Sequence, residues 1–202
     1  MGTRNLTVVI SGGKRVVAQY CQWDGYPSGQ GATALKFLSS EGSLDKLKKA
    51  LEKVRFRNEE DEKEAAEYYK SIGCDDSGWV NMEQSALINK RYPLKSRDHG
   101  AEILGILAES DLDELVLVDN FSFGYYSLFC EFAYVVDLDN NTFEVYEGFQ
   151  QEILDKSERF YKEEDSKGYY GVKLIKSYNL SSLPTEEVFL KELEPQDEED
   201  ED

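Results

Sequence analysis

The residues that could do chemistry concentrate in two short stretches. The first is Gln19-Tyr20-Cys21-Gln22-Trp23-Asp24-Gly25-Tyr26-Pro27-Ser28-Gly29-Gln30-Gly31, and the second is Lys95-Ser96-Arg97-Asp98-His99-Gly100. Asp24 and Asp98 form the available carboxylate pair for acid–base work or, in an enzyme, for one Mg²⁺ ion. His99 is the single histidine, so any Ser-His-Asp or Cys-His arrangement would have to use it. At a helix entrance its cationic form is disfavoured, which suits a neutral base. An exposed helix-entry residue explains it equally. Gly29 and Gly31 precede a helical pattern and could offer free backbone N–H groups to an anion, with Ser28 beside them. A tight turn feeding a helix is the plainer alternative. The spacing Gly25-x-x-x-Gly29-x-Gly31 is not the dinucleotide fingerprint, and no Walker motif occurs. One expectation is that Gln22, Asp24 and Gln30 converge with Arg4 on a polar pocket walled by Trp23 and Tyr26. The other is that Trp23 and Tyr26 close the core over ordinary turn formers.

These groups need elements to hold them. Leu6, Val8 and Ile10 alternate within a strand over Arg4 to Ser11, Gly12-Gly13 is a hairpin turn, and Val16 to Gln22 returns. Ala32 to Leu38 is a short helix opened at Gly31. Ser43 is the expected N-cap of a longer one, in which Leu44, Leu47, Leu51 and Val54 share a face. Helical patterns follow at Glu59 to Ile72, closed by Gly73, at Asn81 to Lys90, and at Arg97 to Ala108. Asp75-Asp76-Ser77-Gly78 is a loop. Leu115 to Val118 is a short apolar run. Strands are predicted at Ser127 to Asp137 and Thr142 to Gly148 around an Asp/Asn turn, with an edge strand at Tyr169 to Tyr178. Glu152 to Glu164 reads as mixed, with helix the candidate, and Pro184 starts a last short helix. The order predicts an α+β fold. The N-terminal hairpin joins the later strands in a mainly antiparallel sheet, and helices pack on one face. The expected division is a single domain at 1–185 and an acidic, disordered tail at 186–202.

Charge separates the function classes. Half of the formal net charge of −18 lies in the last seventeen residues, where ten acids face one base. Such a field repels bare nucleic acid unless a local basic patch overrides it. Leu44 to Arg57 is that patch, with six bases against two acids. Lys46, Lys49, Lys53 and Arg57 are expected on one helical face, either solvated or turned towards an anion or RNA. Cys21, Cys74 and Cys130 are three and far apart, which argues for reduced thiols and against a zinc site. No apolar run reaches the ~18 residues of a membrane span, and no signal peptide is legible. The expected location is the cytoplasm, with no membrane partner.

Met1-Gly2-Thr3-Arg4-Asn5-Leu6-Thr7, with the Gln19 to Gly31 block, resembles a family of proteins encoded by phages and prophages of Gram-positive bacteria. The later Glu131-Phe132-Ala133-Tyr134-Val135-Val136-Asp137-Leu138-Asp139 and Phe143-Glu144-Val145-Tyr146 are similar to that family's second block. The likeness covers residues 1 to about 150. Some acidic prophage proteins of this size are anti-CRISPR inhibitors of the type II effector nuclease. The resemblance therefore implies a counter-defence role in the host cytoplasm. The implied partner is a CRISPR effector, or another host protein with a basic surface, or its guide RNA through the basic helix. It implies no catalytic residues and no cofactor. The competing readings are a nucleotide- or RNA-processing enzyme built on the glycine-rich turn, with Mg²⁺, and an accessory protein with another partner. Removing Asp197–Asp202 is expected to slow association with a basic partner and flatten its salt dependence, leaving Tm unchanged. Stopped-flow binding and thermal unfolding check this.

Overall fold

The computed structural model describes residues 2–75 and 77–194. The first hairpin forms as its pattern predicts. Strand β1 (Asn5–Ser11) pairs antiparallel with β2 (Lys14–Cys21), and Gly12 and Gly13 both take positive φ at the turn. That conformation matches the twist of the flanking strands and favours glycine. The Asp139 carboxylate accepts from both turn N–H groups, at 2.8 and 2.7 Å, and ties the tip to a distant loop.

The other sheet strands come from the second half of the chain. They are β5 (Phe132–Asp137), β6 (Thr142–Glu147) and β7 (Lys173–Asn179), in the order β2-β1-β5-β6-β7. Within this sheet, among the described residues, only β1 with β5 is parallel; the other pairs are antiparallel. The fold is thus the expected α+β one. A second, two-stranded sheet is not anticipated by the periodicity. In it β3 (Val54–Phe56) runs parallel to β4 (Leu115–Leu117).

The helices are α1 (Ala32–Leu38), α2 (Ser43–Leu51), α3 (Glu59–Ser71), α4 (Met82–Arg91), α5 (Ile103–Ala108) and α6 (Glu186–Leu193). Side chains of α1, α2, α5 and α6 pack on one face of the sheet, against Val9, Val17, Tyr134, Val136, Phe143, Val145 and Tyr178. Gly73, at φ +80°, closes α3 as expected. Its N–H reaches the Lys70 carbonyl, and that of Cys74 reaches Tyr69, so two end carbonyls are satisfied. Asn58 and Asn81 cap α3 and α4 reciprocally with Asp61 and Gln84.

Several expectations are corrected. The basic helix stops at Leu51, because the chain turns into β3 to pair with β4. Lys53 and Arg57 therefore leave the face that Lys46 and Lys49 share, and the Arg57 side chain is buried. Ser43 is the first residue of α2 rather than its cap. Gly42, in a left-handed conformation at φ +73°, occupies the cap position. Arg97 to His99 stay outside the helix: a 3₁₀ turn at Gly100–Glu102 leads into α5. Ser127 to Glu131 are not in β5. Glu152 to Glu164 form no helix. The last short helix expected from Pro184 forms, and with it the tail start expected at Glu186 moves beyond α6. Glu186–Leu193 is helical, and Phe189 is fully buried within 6.0 Å of Phe143 and 5.6 Å of Tyr178, ring centre to ring centre. An aromatic residue in the amphipathic stretch overrides the acidity of its neighbours. The remainder of the expected disordered tail, from 195 on, and Asp76 of the expected loop lie outside the described residues.

The face of the sheet opposite the helices carries Leu6, Val8, Ala133, Val135 and Tyr146. Irregular chain covers it. Phe160 fills the centre, stacked on Phe121 at 5.0 Å and edge-on to Tyr146 at 5.1 Å. Next to it Arg159 reaches the buried Asp137 carboxylate at 2.8 Å and Glu144 at 3.0 Å, and Tyr146 donates to Glu144 at 2.6 Å. This network latches the cover to the sheet. Burial alone would raise the Asp137 carboxyl. The Asn140 donors and Arg159 more than offset that and hold it below its ordinary value. Its contribution to stability is whole above the unfolded aspartate value of about 3.9 and is lost as pH falls through the lower folded one. Arg159→Met, which strands two buried carboxylates, is expected to cost about 3–5 kcal/mol at neutral pH and to move the acid-side decline to higher pH. Urea denaturation as a function of pH measures both.

Candidate functional site

Register places one end of the sheet in view. Cys21, Asn5, Phe132, Glu147 and Lys173 lie side by side across all five strands. Beyond that row come Gly2–Arg4, the glycine-rich turn, the loop before β5 and the loop after β6. Three large aromatic side chains stand out there. Trp23 is 54% exposed, Tyr26 51% and Phe149 54%. Tyr26 leans on Phe132 at 6.1 Å. The Trp23 ring covers Gly2, where a Cβ would meet it at 2.3 Å.

The turn beneath is rigid for identifiable reasons. Asp24 takes φ +56°, a conformation that aspartate tolerates better than most residues. Its carbonyl accepts from Gln30 N–H at 2.8 Å, and Gly25 N–H donates to the Thr3 carbonyl at 2.9 Å. Gly29 lies directly on Asp24, with a Cβ position 2.3 Å from its carbonyl oxygen. From the core, the Tyr134 hydroxyl donates to the Gly25 carbonyl at 2.8 Å. Pro27–Gly31 then winds as one π-type turn into α1.

The polar groups expected to converge do not form one pocket. Gln30 turns inward and accepts from Ala101 N–H at 2.6 Å. Gln22 accepts from the Tyr20 hydroxyl at 2.7 Å and from the Arg97 guanidinium. Arg4 lies over the Phe129 ring at 4.9 Å, and its N–H donates to Glu131 at 3.2 Å. Ser28 donates through N–H and hydroxyl to Glu194, at 3.0 and 2.9 Å. The anion cradle is therefore filled from within: the carboxylate just after α6 takes the donors that an external anion would need. Gly29 and Gly31 N–H groups go to the Tyr26 carbonyl.

The acid–base set is likewise dispersed. His99 Nε2 donates to the Pro93 carbonyl at 2.7 Å, and Asp98 N–H donates to the Ser96 hydroxyl. No hydrogen bond or ion pair joins Asp24, Asp98 and His99 among the described residues. Nor do three or more His, Cys, Asp or Glu side chains gather there as a metal site. All three cysteines are free thiols. Burial pushes the Cys21 and Cys130 thiols up, away from the thiolate a nucleophile needs. Lys46 pairs with Glu109 at 2.7 Å, and Lys53 donates to the Leu112 carbonyl at 3.1 Å. No continuous basic stripe results.

What the end of the sheet offers is an aromatic surface with charges of both signs at its margin: Asp24, Glu131 and Glu147 against Arg4, Lys167 and Lys173. Phe149 and Phe129 were not among the sequence candidates. Their membership depends on which strand ends adjoin, which no local pattern encodes. Comparison with protein-family models, with curated proteins and with solved structures finds no match to this chain. Gly29→Ala is expected to destabilise by about 1–3 kcal/mol, because backbone must move to admit the methyl group. Tyr134→Phe is expected to cost about 1–3 kcal/mol by leaving the Gly25 carbonyl unpaired. Chemical denaturation of both variants is the check.

Proposed function

We propose that this protein works by binding a protein partner through the aromatic end of its sheet, and that it is a phage-type counter-defence inhibitor of a type II CRISPR effector. One observation carries the binding reading. Trp23 and Tyr26 are exposed on a turn held rigid from beneath, with Phe149 exposed on the loop after β6 at the same end of the sheet, while Gln22, Gln30 and Ser28 of the turn are engaged internally. Aromatic anchors on a preorganised surface are the usual energetic centre of an interface. The identity of the partner rests on the resemblance and on charge. An effector is basic where it holds guide RNA and target DNA, and a strongly acidic chain is drawn to such a channel and competes for it. Its place of action is the host cytoplasm, where such effectors work. Among the described residues no helix is long and apolar enough to cross a membrane.

The test is binding of the purified chain to guide-loaded and guide-free effector. Each of Trp23→Ala, Tyr26→Ala and Phe149→Ala is expected to weaken binding about tenfold or more with little change in Tm. Guide RNA cleavage abolished by Asp24→Ala or His99→Ala would replace this reading with the enzymatic one. Absence of binding above the micromolar range would remove the effector as partner.

A further inference from the structure

The stretch Lys95-Ser96-Arg97-Asp98 builds no acid–base set, but it forms one wall of a cavity of about 510 Å³. Helices α3 and α4 supply two more walls. Ala66, Tyr69 and Lys70 on α3, and Ser85, Ile88 and Asn89 on α4, each follow the i, i+3, i+4 spacing of a single helical face. The connection between the helices adds Trp79 and Val80. The volume is that of a small-molecule site. Its apolar groups are reachable: Trp79 is 83% exposed and Val80 41%. α4 fully buries none of its side chains and α3 only Ala65, so the chain itself does not cover these faces. Trp79 is fixed from both sides. Before it, the Asp75 carboxylate accepts from the Ser77 N–H at 2.9 Å and from the Ser77 hydroxyl, which in turn accepts from the Trp79 N–H at 3.3 Å. After it, Asn81 caps α4.

The charges around the cavity are open to a ligand. Lys70, Lys95 and Arg97 stand with Asp75 and Asp98, three cations to two carboxylates. Among the described residues none of the five forms an ion pair. Lys95 is half-buried and the other four are exposed. Lys95 donates to the Tyr69 hydroxyl, and Arg97 to Gln22. An ammonium has three donors and a guanidinium five, so both keep free N–H groups. The Lys95 nitrogen lies 4.5 Å from the centre of the Tyr69 ring. An anion bound by Lys95 therefore brings its attached ring onto the aromatic wall.

We infer that this cavity binds a small aromatic molecule bearing one negative charge, an aromatic carboxylate in chemical class. The ring lies against Tyr69 and Trp79, and the carboxylate takes free donors of Lys95, with Lys70 and Arg97 beside it. Aromatic side chains select the ring, because offset or edge-on ring contacts add to the burial of its area. The surplus of one positive charge selects a monoanion. A polyphosphate would bring excess negative charge against Asp75 and Asp98. Trp23, Tyr26 and Phe149 take no part here, so this inference and the partner reading fail separately.

The experiment titrates the full chain with 2-naphthoate, with neutral 2-naphthylmethanol and with acetate, at matched ionic strength. NMR spectra follow the Trp79 indole N–H and the backbone N–H groups of residues 95–98. Saturable shifts are expected with 2-naphthoate. The alcohol is expected to bind at least tenfold more weakly, and acetate to give no saturable shift. Trp79→Ala is expected to weaken 2-naphthoate about tenfold, read from the backbone signals, with Tm unchanged because the side chain is 83% exposed. Lys95→Met is expected to cut the preference for naphthoate over the alcohol at least threefold. Trp79→Ala keeps the inference testable if Lys95→Met fails to fold. No saturable shift with naphthoate up to about 2 mM, equal affinity for naphthoate and the alcohol, undiminished binding in Trp79→Ala, or an unchanged preference in Lys95→Met would each overturn the inference.

Discussion

The hydrogen bond from the Tyr134 hydroxyl to the Gly25 carbonyl ties the exposed end of the protein to its centre. Tyr134 is fully buried and stacks with Phe143, which stacks with Phe189 of α6. The column fills the space between sheet and helices and ends in a single polar handle. Burial raises the Tyr134 phenol well above its ordinary range, so it stays a neutral donor. Its ring also lies where a Gly31 Cβ would be, 2.9 Å away, so the helix start can come this close only as glycine. Position of the turn, packing of α1 and insertion of α6 are thus one constraint.

A glycine-rich turn full of polar side chains invites a catalytic reading, and internal bookkeeping of its hydrogen bonds removes most of that reading's material. Gln30, Gln22, Ser28 and the helix-start donors all have partners within the chain. Glu194 is the clearest instance, because it occupies the position an external anion would take. Exposed aromatic area then remains as what the turn can offer. The cavity between the β3–β4 ribbon and α3–α4 is instead crowded with paired charges. There Arg57 Nη1 and the Tyr92 hydroxyl are buried without hydrogen-bond partners among the described residues.

The two faces of the sheet are stabilised by different physics. The helical face is apolar and aromatic, and its helices are amphipathic in the ordinary way. The other face is covered by chain without regular structure, which needs specific fastenings. Phe160 and Arg159, adjacent in sequence, supply an apolar plug and a charged latch. Sequence patterning at Glu152 to Glu164 suggested helix because those residues mix apolar and charged types. The anchoring pair takes precedence over helix propensity, since its partners on β5 and β6 reward a particular place rather than a particular backbone period.

Local rules settled much of this protein without a structure. The Gly12-Gly13 hairpin, the closure of α3 at Gly73, the β5–β6 hairpin around its Asp/Asn turn and the start of α1 all depend on neighbours within a few residues, where sterics and hydrogen bonding act directly on backbone torsions. The chain's acidity and free thiols were equally legible. Tertiary structure alone decided that Arg57 is buried beside Tyr92 instead of on a basic helix face. It also decided that Phe189 belongs to the core, that Arg4 goes to Phe129, and that the loop carrying Phe149 leaves the same end of the sheet as the turn carrying Trp23 and Tyr26. Each of those outcomes depends on contacts between residues tens of positions apart. Strand order and the pairing of β3 with β4 create them, and no periodicity within a segment carries that information.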